Sequence, residues 1–91
     1  MERFMKRILD AQEQPVMNIT GQRIREARDR ANLTQDQLSI KLETMAVYVC
    51  RGSISRIENG ARLVADYELQ AIAEVLNVPI ETLFPEKKEQ T

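Results

Sequence analysis

Histidine is absent from the 91 residues, and with it the commonest general base and the commonest metal ligand. A single cysteine, Cys50, excludes an internal disulfide, so nothing points to an oxidising compartment. Tryptophan is absent and aromatic residues make up 4 %, which leaves the core to Leu, Ile, Val, Ala and Met. Glycine numbers only three, and none sits in a phosphate-cradling pattern. No apolar run approaches the ~18 residues of a membrane span. Met1 to Asp10 is charged throughout, unlike a signal peptide. A cytoplasmic protein with no metal, no cofactor and no membrane contact is expected. A catalytic role would rest on carboxylates and lysines alone, in a domain too small for a deep pocket, so no enzyme is expected.

What is present is ordinary for one small globular domain: 43 % apolar residues, enough for a core and too many for a disordered chain. The formal net charge is −1, which taken alone argues mildly against nucleic acid. Its distribution matters more. From Asn18 to Gly60 there are seven Lys or Arg against five acids, and from Ala61 to Thr91 three against six. Residues 1–17 balance at three against three.

The pattern is helix after helix, with no alternating strand signal, so the chain reads as all-α. Residues 1–17 form an extension in which Phe4, Met5, Ile8 and Leu9 recur at helical spacing, ahead of Pro15. It is either a frayed tail or an arm that packs on a second subunit. Residues 18–85 carry the domain, and 86–91 are a charged tail.

A first helix is expected from Gly21 to Ala31, with Thr20 as N-cap and Ile24, Ala27 and Ala31 as its apolar stripe. A second opens at Thr34, where Thr34 and Gln37 have the spacing of a capping box, and buries Leu38, Leu42 and Met45. A third runs from Arg51 to Asn59 and stops at Gly60. A fourth spans Asp66 to Asn77, and a short fifth starts at Pro79 and is stopped by Pro85.

On the third helix, Ile54 and Ile57 are three residues apart and define a buried side. Gly52, Ser55, Arg56 and Asn59 then point the opposite way. That outer face is small, polar and positive. Arginine bonds a guanine edge through two parallel donors, and serine bonds bases or phosphates. Standing alone, such a face is also an ordinary solvated surface.

Context shifts the balance. Gly21-Gln22-Arg23-Ile24-Arg25, Leu33-Thr34-Gln35-Asp36-Gln37-Leu38, Ile54-Ser55-Arg56-Ile57-Glu58-Asn59-Gly60 and Leu76-Asn77-Val78 with Ile80–Phe84 occur in that order. Together they resemble the lambda-repressor-like, Cro/XRE family of helix-turn-helix DNA-binding domains over about two thirds of the chain. The resemblance implies a five-helix domain that reads double-stranded DNA as a transcription regulator, typically a repressor, and binds as a homodimer. It implies that Thr34 and Gln35 bond the DNA backbone, and that Arg51, Gly52, Ser55 and Arg56 face base edges. It also implies that Ser53, Asn59 and Arg62 lie near phosphates, and that Arg28 and Glu58 form a partly buried ion pair. Ile80, Leu83 and Phe84, with Phe4 and Ile8, are the expected dimer surface. No small-molecule ligand is implied.

One departure stands out. Ala46-Val47-Tyr48-Val49-Cys50 makes the connection between helices two and three about one turn longer than the usual ~3–4 residues. It places Cys50, a poor cap, at the start of helix three. The expected role of Cys50 is a small cap residue rather than a redox sensor, Tyr48 is expected to cover the long connection, and Tyr67 to pack across helix four. A competing reading keeps the fold but makes another protein the main partner, as in an antitoxin or adaptor.

Overall fold

In the computed structural model, residues 16–86 are described, and among them four α-helices and no strands are found. They are α1 (Gly21–Arg30), α2 (Gln35–Glu43), α3 (Arg51–Glu58) and α4 (Asp66–Leu76). The expected fifth helix is instead a single 3-10 turn, Ile80–Leu83. The two prolines explain the difference. Pro79 opens the segment and Phe84, extended because it precedes Pro85, closes it, so no room remains for an α-helical ladder.

All four helices end on the same device. Asn32, Ala46, Gly60 and Asn77 each adopt a left-handed conformation, with φ of 59, 61, 76 and 59°. At each end the next residue's N–H donates back across the last turn: Leu33 to the Arg28 carbonyl, Val47 to Leu42, Ala61 to Arg56 and Val78 to Ala73. These bonds satisfy carbonyls that a helix end leaves orphaned. Three of the four positions carry Asn or Gly, which tolerate this conformation; Ala46 does not share that tolerance. Because α2 stops there, Met45 is exposed rather than inward, and Val49 fills the core in its place. Ala31, expected on the α1 stripe, is likewise exposed beyond the end of its helix.

The start of α1 depends on Asn18, not on the Thr20 side chain, which makes no capping bond. Asn18 Oδ1 accepts from the backbone N–H of Thr20 (3.0 Å) and Gly21 (2.7 Å). Its Nδ2 donates to the carbonyls of Ile57 (3.0 Å) and Arg62 (2.8 Å). One side chain thus joins the start of α1 to the end of α3. Gly21 permits the approach, since a Cβ there would collide with the Ile57 carbonyl oxygen.

Ile24, Leu38, Leu42, Ile54, Ile57, Ile72 and Leu83 form the innermost core, which among the described residues contains no aromatic side chain. Helix α3 makes its principal contacts with α1 and α2, while α4 and the 3-10 turn close the core from the other side. That arrangement leaves one long face of α3 to solvent.

The left-handed positions generate a paired test. Ala46→Gly should stabilise the domain by about 0.5–1 kcal/mol, relief of the conformation outweighing glycine's entropy. Gly60→Ala should lose more than about 1 kcal/mol, since it adds the strain and meets Val16 Cγ1 at 3.1 Å. Urea denaturation of both variants checks the opposite signs.

Candidate nucleic-acid interface

Helix α3 is fixed from beneath by a buried charge cluster. Arg28 Nε donates to Glu58 Oε2 at 2.7 Å and Nη2 to Oε1 at 3.0 Å. Arg28 Nη1 donates to the Leu33 carbonyl at 2.7 Å, and Gln35 Nε2 donates to Glu58 Oε1 at 3.0 Å. The Arg28 side chain is 10 % exposed and that of Glu58 2 %. Hydrogen bonding to the Glu58 carboxylate raises the Arg28 pKa further against the opposing effect of burial, so the guanidinium stays charged. The cluster ties α1, the loop after it, the first residue of α2 and the last residue of α3 into one unit.

The other end of α3 is set by the connection Thr44–Cys50, seven residues between α2 and α3. Ser39 Oγ on α2 donates to the Val49 carbonyl at 2.8 Å, and Val49 is buried. Cys50 occupies the N-cap position without a side-chain cap bond. Its thiol donates instead toward Ser53 Oγ at 3.5 Å. On ionisation the Ser53 hydroxyl and backbone N–H can donate to the thiolate, which is the main cause of a lowered thiol pKa, with a smaller contribution from the Arg56 charge.

The outward face of α3 carries Arg51, Gly52, Arg56 and Asn59, all exposed, with Ser53 and Ser55 half-buried at its edges. Ile54 and Ile57 are both 1 % exposed on the opposite side. Arg56 Nη2 donates to Ser53 Oγ at 3.3 Å. Arg51 has no ion-pair partner among the described residues. Beside this face, Thr34 and Gln37 form a complete capping box: Gln37 N–H donates to Thr34 Oγ1 at 3.0 Å and Thr34 N–H to Gln37 Oε1 at 2.8 Å. The Thr34 hydroxyl hydrogen remains available. One N–H of the Gln35 amide is committed to Glu58.

Arg62 is placed differently from the rest. Its Nη1 and Nη2 donate to Glu68 Oε1 and Oε2 at 3.1 Å each, and Nη1 also reaches the Leu63 carbonyl at 2.9 Å. The two groups neutralise one another, so a phosphate at Arg62 would have to compete with a bidentate carboxylate. Glu68 also accepts from the Ala65 N–H at 2.9 Å, which caps the start of α4. An acid three residues into a helix is a sequence signal for that capping bond. Nothing local points to Arg62 as its second partner, nor to the Ile57 and Arg62 carbonyls as partners of Asn18.

Three further expectations are corrected. Leu83 is 1 % exposed and belongs to the monomer's core, so it is not available for a dimer surface. The 3-10 turn points it inward, leaving Phe84 exposed and Ile80 half-buried. Tyr48 is 74 % exposed and does not cover the connection, which Val47 and Val49 cover from inside; Tyr67 is also exposed and does not pack across α4. Phe4 and Ile8 lie outside the described residues. No described helix is long and apolar enough to cross a membrane, and no cluster of metal-ligating side chains occurs among the described residues.

Compared with known proteins, residues 21–89 match the model of a family described as a helix-turn-helix domain, which is more than half of the chain. No curated protein and no solved structure gives a significant match.

Two stability tests follow from the ion pairs. Arg28→Ala leaves Glu58 buried without its counter-charge and should cost ~3–5 kcal/mol in urea denaturation; a loss under about 1 kcal/mol would mean a pair worth no more than an exposed one. Glu68 is the pH-sensitive partner. Its carboxyl is held below the ordinary range chiefly by the Arg62 guanidinium, against burial. A depressed folded-state value stabilises fully above the unfolded carboxylate's pKa, about 4.3, and that contribution drains away as pH falls further. Glu68→Gln should therefore be less stable than wild type at pH 7, and should lose less of its stability between pH 5 and pH 3.

Proposed function

We propose that this chain, which belongs to the helix-turn-helix domain family, is a sequence-specific regulator of the Cro/XRE type that lays α3 in the major groove of double-stranded DNA. The observation that carries the reading is the outward face of α3. Arg51, Gly52, Arg56 and Asn59 are exposed together on a helix whose opposite face and both ends are pinned. A rigid helix with small and positive residues outward suits base edges, and Arg51 lies at its N-terminal end, where base edges are usually reached. Thr34 at the start of α2 suits a phosphate, through its free hydroxyl hydrogen and the N-terminal end of the helix. Ser53, Ser55 and Asn59 flank the arginines, and Gln35 and Arg62 support the surface through Glu58 and Glu68.

One eight-residue helix reads only a few base pairs, so two copies on half-sites about 34 Å apart are the natural arrangement. With Leu83 in the core, Phe84 and the exposed part of Ile80 supply the apolar surface for that homodimer. Repression is the simplest outcome, because occupancy of a promoter needs no surface beyond the one that binds DNA. A second reading, a protein-interaction module of the same fold, is favoured by apolar side chains on and after α2: Ile40 and Tyr48 are both more than half exposed.

Fluorescence anisotropy separates the two. The wild type is first used to enrich duplexes from a random pool, and the preferred duplex is titrated against non-specific competitor at two salt concentrations. Binding that survives competitor, weakens with salt, involves two chains per duplex and falls by ~1–3 kcal/mol in both Arg51→Ala and Arg56→Ala is expected. Binding abolished by competitor would favour the protein-interaction reading.

A further inference from the structure

We infer that Ser53 is a positioning residue for Arg56, holding its guanidinium over the open backbone of Gly52 before any DNA is present. The inference rests on the major-groove reading above and assigns Ser53 a role other than contact with phosphate. Gly52 and Ser53 lie one turn ahead of Arg56, where a helical side chain leaning toward the N-terminus arrives. Arg56 Nη2 reaches Ser53 Oγ at 3.3 Å. A Cβ on Gly52 would sit 3.9 Å from Arg56 Nη1, so the guanidinium lies across residue 52 at van der Waals distance. Any longer side chain there would occupy the same space.

The Ser53 hydroxyl is fully used as an acceptor, taking the Arg56 N–H and the Cys50 thiol. Arginine otherwise carries a large rotamer entropy that must be surrendered when it docks against a base. Restraining it in the free protein removes part of that cost. It also fixes the direction of the planar donor fork, on which discrimination between base pairs depends. A serine that only touched phosphate would strengthen binding to every duplex alike.

The test combines nuclear magnetic resonance on the free protein with binding. The order parameter of the Arg56 Nε–Hε group is measured in wild type, Ser53→Ala, Ser53→Thr and Gly52→Gln. The same proteins are titrated with the duplex enriched by the wild type and with its single-base-pair variants. Ser53→Ala and Gly52→Gln should both change the Arg56 signal, Ser53→Ala by lowering its order, while Ser53→Thr, which keeps the hydroxyl, restores it. Ser53→Ala should weaken the preferred duplex about three- to tenfold, the size of one hydrogen bond. It should also flatten discrimination at the base pair identified by Arg56→Ala, with an unchanged salt slope and no further effect in the Arg56→Ala background. Unchanged Arg56 order in Ser53→Ala would overturn the inference. So would an equal loss on all duplexes with a shallower salt slope, the mark of a phosphate ligand. If the wild type enriches no duplex, the DNA reading fails instead, and the free-protein measurement alone decides whether Ser53 holds Arg56.

Discussion

Glu58 is a carboxylate with a 2 % exposed side chain at the end of the helix that faces outward, and the rest of the domain is arranged around keeping it satisfied. A buried charge is tolerated only when it is paired and hydrogen-bonded. Here Arg28 supplies a fork of two donors from α1, and Gln35 supplies a third from the first residue of α2. A further Arg28 donor, on Nη1, goes to the Leu33 carbonyl in the loop between those helices. An apolar contact tolerates sliding; a bidentate pair with an added amide does not. The cluster therefore sets the angle and depth of α3 against α1 and α2, which is the geometry a groove-reading helix needs.

Other contacts hold α3 at both of its ends. Asn18 and Gly21 bring the start of α1 against the carbonyls at the end of α3, and Gly60 turns the chain away at once. At its beginning, the long connection is drawn inward by Val49 and by the Ser39 bond to the Val49 carbonyl. A connection of seven residues would ordinarily loosen the relation between two helices. Here its left-handed turn at Ala46 and its buried valine restore the constraint, so the extra length does not set α3 free.

Charge placement explains how a chain of net charge −1 can present a positive face. Arg28 and Arg62 are each matched to a buried glutamate, Glu58 and Glu68. Each of these arginines is neutralised by its partner within the domain. Arg51 and Arg56 stand outward on α3, and the acids of α4 lie on another element. The overall sum conceals that segregation, because electrostatic steering depends on where charges face and not on their total.

Much of this was written locally. The spacing of Ile24 and Ala27, of Leu38 and Leu42, and of Ile54 and Ile57 marks three inward faces, since residues three or four apart share a helix face. Thr34 with Gln37, and Gly60 after Asn59, mark a helix start and stop through contacts that never leave one turn. The outward set Gly52, Arg56 and Asn59 follows from the same periodicity. Other features depended on partners beyond one helical turn. The commitment of Arg62 to Glu68, the bonds from Asn18 to the Ile57 and Arg62 carbonyls, the burial of Leu83 and the exposure of Tyr48 and Tyr67 have no local signature. Leu83 and Phe84 are adjacent and both apolar, yet one enters the core and the other does not, because the 3-10 turn between Pro79 and Pro85 orients them against α1 and α4. Sequence alone determined which faces of the helices turn inward, because that depends on neighbours one turn away. Only the tertiary structure decided which polar groups are left free for a partner, because a donor's availability depends on what the fold brings within about 3 Å of it.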